Sequence, residues 1–139
     1  MAYDEAIRNI TLNSDSSLSG YTGVSGTPGA ANPHFGKAQY RFVKVTGART
    51  CGLATAAADV AKIVGVAQSK PQVTGQAVTV AIRGISLVLS GGAVTAGDIV
   101  KTDATGRAIA SADGTTPLGI AIESVTGANQ LVSVLLRTT

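Results

Sequence analysis

After residue 39, apolar and polar side chains alternate with a period of two. Strand side chains point to opposite faces in turn, so this period predicts strands. Residues 40–45 put Val43 and Val45 on one face and Phe42 on the other. Residues 76–83 put Val78, Val80 and Ile82 on one face, with Thr79 and Arg83 opposite. Residues 130–137 follow the same plan, with Val132, Val134 and Leu136 against Ser133 and Arg137. Leu131 and Leu135 add apolar groups to that second face, which predicts a strand covered on both sides. Residues 85–89 and 99–102 read as further strands, and short apolar strands surround Gly65 and Gly119. Gly97 and Gly106 are expected where tight reversals need φ > 0. The total is about eight to ten short strands, the pattern of a small β-barrel or sandwich.

The second half of the chain repeats the first. Residues 52–83 align without a gap on 106–137, at a spacing of 54. The identities are Gly52/Gly106, Ala54/Ala108, Ala56/Ala110, Ala58/Ala112, Asp59/Asp113, Gly65/Gly119, Ala67/Ala121, Gln76/Gln130, Val78/Val132, Val80/Val134 and Arg83/Arg137. Upstream, 42–44 answers 99–101 at a spacing of 57, which places three extra residues in the first copy's turn between 44 and 52. The Ala-rich stretch 54–61 reads as a strand because its copy, 108–112, runs into the turn Asp113–Pro117; a brief helical turn fits near Ala56–Ala61. The expected fold is all-β: a small duplicated β-barrel or sandwich, 39–139, with copies near 40–83 and 97–137.

Residues 1–38 read differently. From 11 to 36 the only charged side chain is Asp15, and Ser, Gly, Thr and Asn dominate. Tyr3, Ile7, Ile10, Tyr21, His34 and Phe35 are sparse apolar anchors on this strap. Such a segment suits an extended N-terminal arm that orders against a partner. These six residues, with Arg83 and Arg137 at the ends of paired strands, are the candidate partner or oligomer interface.

Composition narrows the function. Charged residues make up 14% and aromatics 4% of a 139-residue chain, against about 25% charged in a typical domain. So few large anchors make oligomerisation or docking to a larger surface a natural source of stability. The net charge of +3 is scattered, with no basic stripe or stacking aromatics of a nucleic-acid reader. No window reaches a membrane span of about 18 apolar residues, and Met1–Glu5 opens no signal peptide.

The chemistry is sparse. His34 is the single histidine and Cys51 the single cysteine, so no multi-His or multi-Cys metal site is expected. Carboxylates sit beside Gly, Ala or Thr in turns, where Asp bonds its own backbone; Asp59 and Asp113 read as equivalent turn residues. No phosphate loop or nucleophile motif occurs. The expectation is a protein without catalytic, metal or cofactor sites.

Several runs together resemble a known family. They are Lys44–Thr50, Ile63–Ala67 and Gly75–Val80, then Val94–Val100, Asp103–Arg107 and Leu118–Ala121. Their order and spacing are similar to the capsid decoration, or cement, proteins of tailed bacteriophages, over residues 40–137. The resemblance implies a structural virion protein on the outer capsid surface, made in the bacterial host cytoplasm. Its partner is then the phage major capsid protein, and it is a homo-oligomer, with a trimer favoured. No nucleic-acid or membrane partner is expected from the scattered charge and the lack of an apolar span. The alternatives are a head-fibre or glycan/receptor-binding virion module, and a lipoyl-type carrier domain. The first lacks Trp for a sugar site, and the second needs a lysine at a hairpin tip, whereas Lys101 falls within a strand.

Overall fold

The computed structural model describes residues 8–18, 38–55 and 57–137. Nine strands are present among them: β1 (Arg8–Ser14), β2 (Phe42–Gly47), β3 (Thr50–Leu53), β4 (Ile63–Ala67), β5 (Ala77–Leu89), β6 (Ile99–Thr102), β7 (Ala108–Ala110), β8 (Gly119–Ala121) and β9 (Leu131–Leu136). A 3-10 turn, Ala57–Lys62, joins β3 to β4. The chain is all-β, as the period of two predicts.

β5 organises the molecule. Its first half pairs with β1 and β4, and its second half pairs with β9. The order β1-β3-β2-β4-β5, closed by β1 on β5, is a five-stranded barrel. The order β5-β9-β8-β6-β7 is a second sheet. It curls back on β5 through the parallel bridge Ser90↔Ala108 and the hydrogen bond Gly91 N to Ala108 O, 2.7 Å. Closure of this kind leaves few free strand edges. Gly84 has φ 88° and stands where β5 passes from one barrel to the other.

The alternating Val positions explain the cores. Leu18, Val43, Cys51, Ala67, Val78 and Val80 fill the first barrel. Val88, Val100, Ala108, Ala121, Val132 and Val134 fill the second. Each buried Val or Leu contributes about 1.5–3 kcal/mol of transfer free energy. Thin barrels of this kind accommodate the small residues that dominate the composition.

Register gives the true equivalence of the two copies. Val43↔Gly65 in β2–β4 matches Val100↔Gly119 in β6–β8, and Val66↔Ala81 matches Ile120↔Leu135. In β2–β3, Val43↔Leu53 and Val45↔Cys51 match Val100↔Ala110 and Thr102↔Ala108. The spacing of 57 therefore persists to Leu53. The three extra residues lie in the β3–β4 connection, where the 3-10 turn takes them up, and not in the β2–β3 turn. The identities Gly52/Gly106, Ala54/Ala108 and Ala56/Ala110 are chance matches in a chain rich in small residues. The strand of the first copy is Thr50–Leu53, and much of the Ala-rich stretch after it is helical turn.

The repeat also begins earlier than the sequence indicates. β1 occupies in the first barrel the place that residues 84–90 occupy in the second. Asn13↔Ala77 answers Leu89↔Leu131. Ser14 Oγ donates to Val73 O at 3.1 Å, and Ser90 Oγ donates to Gly127 O at 2.7 Å. Gly75 N donates to Ser14 O, and Asn129 N to Ser90 O, from residues with φ 87° and 62°. Residues 8–14, grouped with the arm on sequence, are an integral strand. A truncation through residue 38 removes that strand together with the rest of the segment.

Candidate interaction surface

A side-chain row crosses the outside of each barrel. In the first barrel it runs Phe42–Val66–Ala81, following the registers Phe42↔Val66 and Val66↔Ala81. All three are buried and join the cluster that fills the second barrel. The turn between β6 and β7 seals this contact: Phe42 N donates to Gly106 O at 2.7 Å, and Arg41 Nη1 donates to Thr105 O at 3.1 Å. Gly106, at φ 77°, is required there, because a Cβ would lie 2.8 Å from Phe42 O.

The equivalent row of the second barrel is Ile99–Ile120–Leu135–Ile85. It is not covered. Ile85 is 51% exposed and Leu135 42%, with Leu87 and Ile122 also exposed beside them. Ile99 and Ile120 are half-buried. Six aliphatic side chains thus gather on one outer sheet face, more than the scattered single residues usual on a surface.

Arg83 and Arg137 flank this face. Gly84 is the partner of Leu136, so the residues just beyond, Arg83 and Arg137, sit side by side at the end of the ladder. Arg8 is the Cα partner of Arg83. Both Arg83 and Arg137 are exposed. The ion pairs among the described residues are Lys44–Asp59 and Arg107–Asp103, so neither arginine has one. Like charges facing one another across a ladder are unfavourable.

The described carboxylates are all engaged locally. Asp15 accepts from Ser17 N at 2.8 Å, Asp98 from Thr95 N at 2.9 Å and Glu123 from Ser133 N at 2.7 Å. Lys44 Nζ donates to Asp59 at 2.7 Å, and Thr55 N and Oγ1 add to it, holding that carboxyl well below the usual range. Thr115 Oγ1 and N, then Ser111 Oγ, hold Asp113 at about 2. Burial pushes Asp103 up, but bonds from Arg107 N and Thr105, with the Arg107 charge, outweigh it and keep it low. Asp59 reaches back to Thr55 whereas Asp113 reaches forward to Thr115, so the two turns are built differently.

The other sequence candidates divide. Ile10 is half-buried against the first core and lines a cleft of about 280 Å³ between the barrels, with Phe42, Val64, Leu118 and Arg137. Tyr3, Ile7, Tyr21, His34 and Phe35 lie outside the described residues. Cys51 is buried, and burial followed by the Asp15 charge pushes its thiol up to about 11, so it is no nucleophile. Lys101 is half-buried within β6 and not at a hairpin tip. Among the described residues no group of His, Cys, Asp or Glu could hold a metal ion. Sequence reasoning missed Ile85, Leu87, Ile99, Ile120 and Ile122 as surface residues. The one available signal was the pair of leucines on the polar face of β9.

A model of a family described as phage cement protein matches residues 30–137. The fold is similar to that of the N base of head fiber gp8.5 in bacteriophage phi29. That likeness has a TM-score of 0.58 at 17% identity and covers 94% of this chain and 93% of the other. No curated protein matches the sequence significantly.

Proposed function

This chain belongs to the phage cement protein family, and from that premise we propose that it binds the outside of the head and cements contacts between major capsid protein subunits. The match over 30–137, which takes in most of both barrels, is the observation that carries the reading. The mechanism is linkage: a protein that binds the expanded lattice better than its precursor stabilises the expanded state. Two barrels sharing one strand and one buried cluster form a stiff body, which suits a bridge between subunits. In this reading the protein is a homo-oligomer on the head, with a trimer favoured. Residues 19–37 add contacts to a neighbouring subunit.

Co-sedimentation with emptied expanded heads and with unexpanded ones tests it. Binding to expanded heads, with a higher temperature of head disruption, is expected. No sedimentation with either form rejects the reading. Replacing residues 19–37 by a Gly/Ser linker of equal length leaves β1 in place and is expected to weaken head binding; unchanged affinity removes the arm from the mechanism.

A second reading, the base of a head fibre, is favoured by the fold likeness to the phi29 head fibre base. It predicts head binding that leaves the disruption temperature unchanged.

A further inference from the structure

We propose that the outer face of the β5-β9-β8-β6 sheet, with Arg83 and Arg137 at one end, is the docking face for an acidic, apolar segment of a partner protein. The proposal deepens the head-binding reading and rests on it, with the capsid lattice supplying that segment.

Three observations carry it. The first is the unequal fate of two equivalent rows. Phe42, Val66 and Ala81 are covered by the second barrel, whereas among the described residues Ile99 and Ile120 are only half-buried and Leu135 is exposed. The repeat thus presents a face whose counterpart is already an interface, and Ile85 and Leu87 widen it. Burying such a cluster supplies the apolar centre of an interface.

The second is charge. Arg83 and Arg137 stand together at the end of the face without a counter-ion among the described residues. Arg8 holds the neighbouring register position. Among the described residues nothing offsets their repulsion, and carboxylates from outside relieve it.

The third selects the occupant. A second copy of this chain is a poor match, because its described carboxylates are all already hydrogen-bonded within the chain. Nucleic acid is a poor match too, because the face carries Ile and Leu and no aromatic platform for bases. Aliphatic side chains followed by carboxylates complement it, which describes an acidic protein segment.

The test is co-sedimentation of the full chain with emptied expanded heads, across a salt series. Arg83→Glu with Arg137→Glu, and separately Ile85→Ser with Leu135→Ser, are each expected to weaken binding at least about tenfold. Arg83→Gln with Arg137→Gln preserves the strands without reversing charge and is expected to lose less. Wild-type binding is expected to weaken as salt rises. Thr11→Glu, at the first-barrel position equivalent to Leu87, is expected to bind as wild type. Wild-type binding with both double variants unchanged overturns the docking face and leaves the head-binding reading standing. Wild-type protein that fails to sediment overturns both. Association of the protein with itself that these variants abolish, while head binding persists, assigns the face to a second copy and overturns the proposal. So does binding to double-stranded DNA that they abolish while head binding persists.

Discussion

The two barrels share a register and an inner core, yet their outer faces have diverged. Inside, Val43/Val100, Ala67/Ala121, Val78/Val132 and Val80/Val134 are equivalent and buried. Outside, Asn9, Thr11 and Asn13 on β1 stand where Ile85, Leu87 and Leu89 stand on β5. Ala81 stands where Leu135 stands. Packing at near-crystalline density tolerates little change inside a thin barrel. The outside is free to change, and it changed according to what each barrel meets. The first barrel meets the second; the second presents its row to the surroundings.

The largest test of this contrast is at the equivalent pair Phe42 and Ile99. Phe42 is 1% exposed at the junction of the barrels, so Phe42→Ala is expected to cost about 3–5 kcal/mol. Ile99→Ala, on the half-buried outer row, is expected to cost about 1 kcal/mol. Denaturant unfolding of both variants checks it. Equal losses would mean that the rows are buried alike, and the contrast would fail.

A smaller effect is expected at Gly65 and Gly119, where neighbouring strands come too close for a side chain. A Cβ at Gly65 would collide with Ala81 O, and one at Gly119 would lie 2.5 Å from Leu135 O. Both contacts are to backbone, which yields less readily than a side chain. Each Gly→Ala change is expected to cost about 1–3 kcal/mol, with the larger loss at Gly65. Thermal melts that rank Gly119→Ala as the worse variant would show the first barrel to be the more pliable one.

The serines at the end of each repeat's first strand come next. Ser14 Oγ makes one bond, to Val73 O, whereas Ser90 Oγ donates to Gly127 O and accepts from Gln130 N at 3.0 Å. Replacement by Ala is expected to cost about 1 kcal/mol at Ser14 and more at Ser90, where two groups lose a partner. Matching urea midpoints for the two variants would argue that the second bond adds nothing.

These pairs also mark what the sequence reveals. Alternation of Val with polar residues was enough for β2, β9 and the first half of β5, because half-buried strands impose a period of two. β4, β6, β8 and the rest of β5 were legible as short apolar runs between turn residues. β1 was hidden. At its spacing of 76 from β5 only Ser14/Ser90 is identical, since one strand's outer face is wet and the other's is apolar. The extra three residues were misplaced because alanines match anywhere in an Ala-rich chain, while hydrogen-bond register does not shift so freely. Arg83 and Arg137 were legible as an equivalent pair, but Arg83 lies inside β5 and not at a strand end as expected. That they stand side by side was not legible, since it follows from β5 running on past Arg83 to pair with β9. The apolar row was hidden for the same reason: its members come from four strands far apart in the chain.

The smallest expected effect is in acid, and it separates the two Asp turns. Asp113 is held at about 2 by Thr115 and Ser111, against about 3.9 for an unfolded Asp. A carboxyl lowered by folding stabilises fully above its unfolded value, and that stabilisation is lost as pH falls through the folded one. The contribution of Asp113 is therefore intact above about pH 4 and fades toward pH 2. Asp59 is lowered as well, with the bond from Lys44 as its largest cause. In Asp113→Asn the urea midpoint is expected to fall less steeply than wild type between pH 4 and pH 2, while the Asp59 contribution remains. Asp59→Asn should flatten the same limb more, because it removes an ion pair as well as the turn bonds. The Lys44–Asp59 pair is partly open to solvent, so added salt should screen it and narrow the gap between the two variants. A gap that widens with salt would place the difference in the turns themselves, and the first barrel's extra residues would then account for it without Lys44.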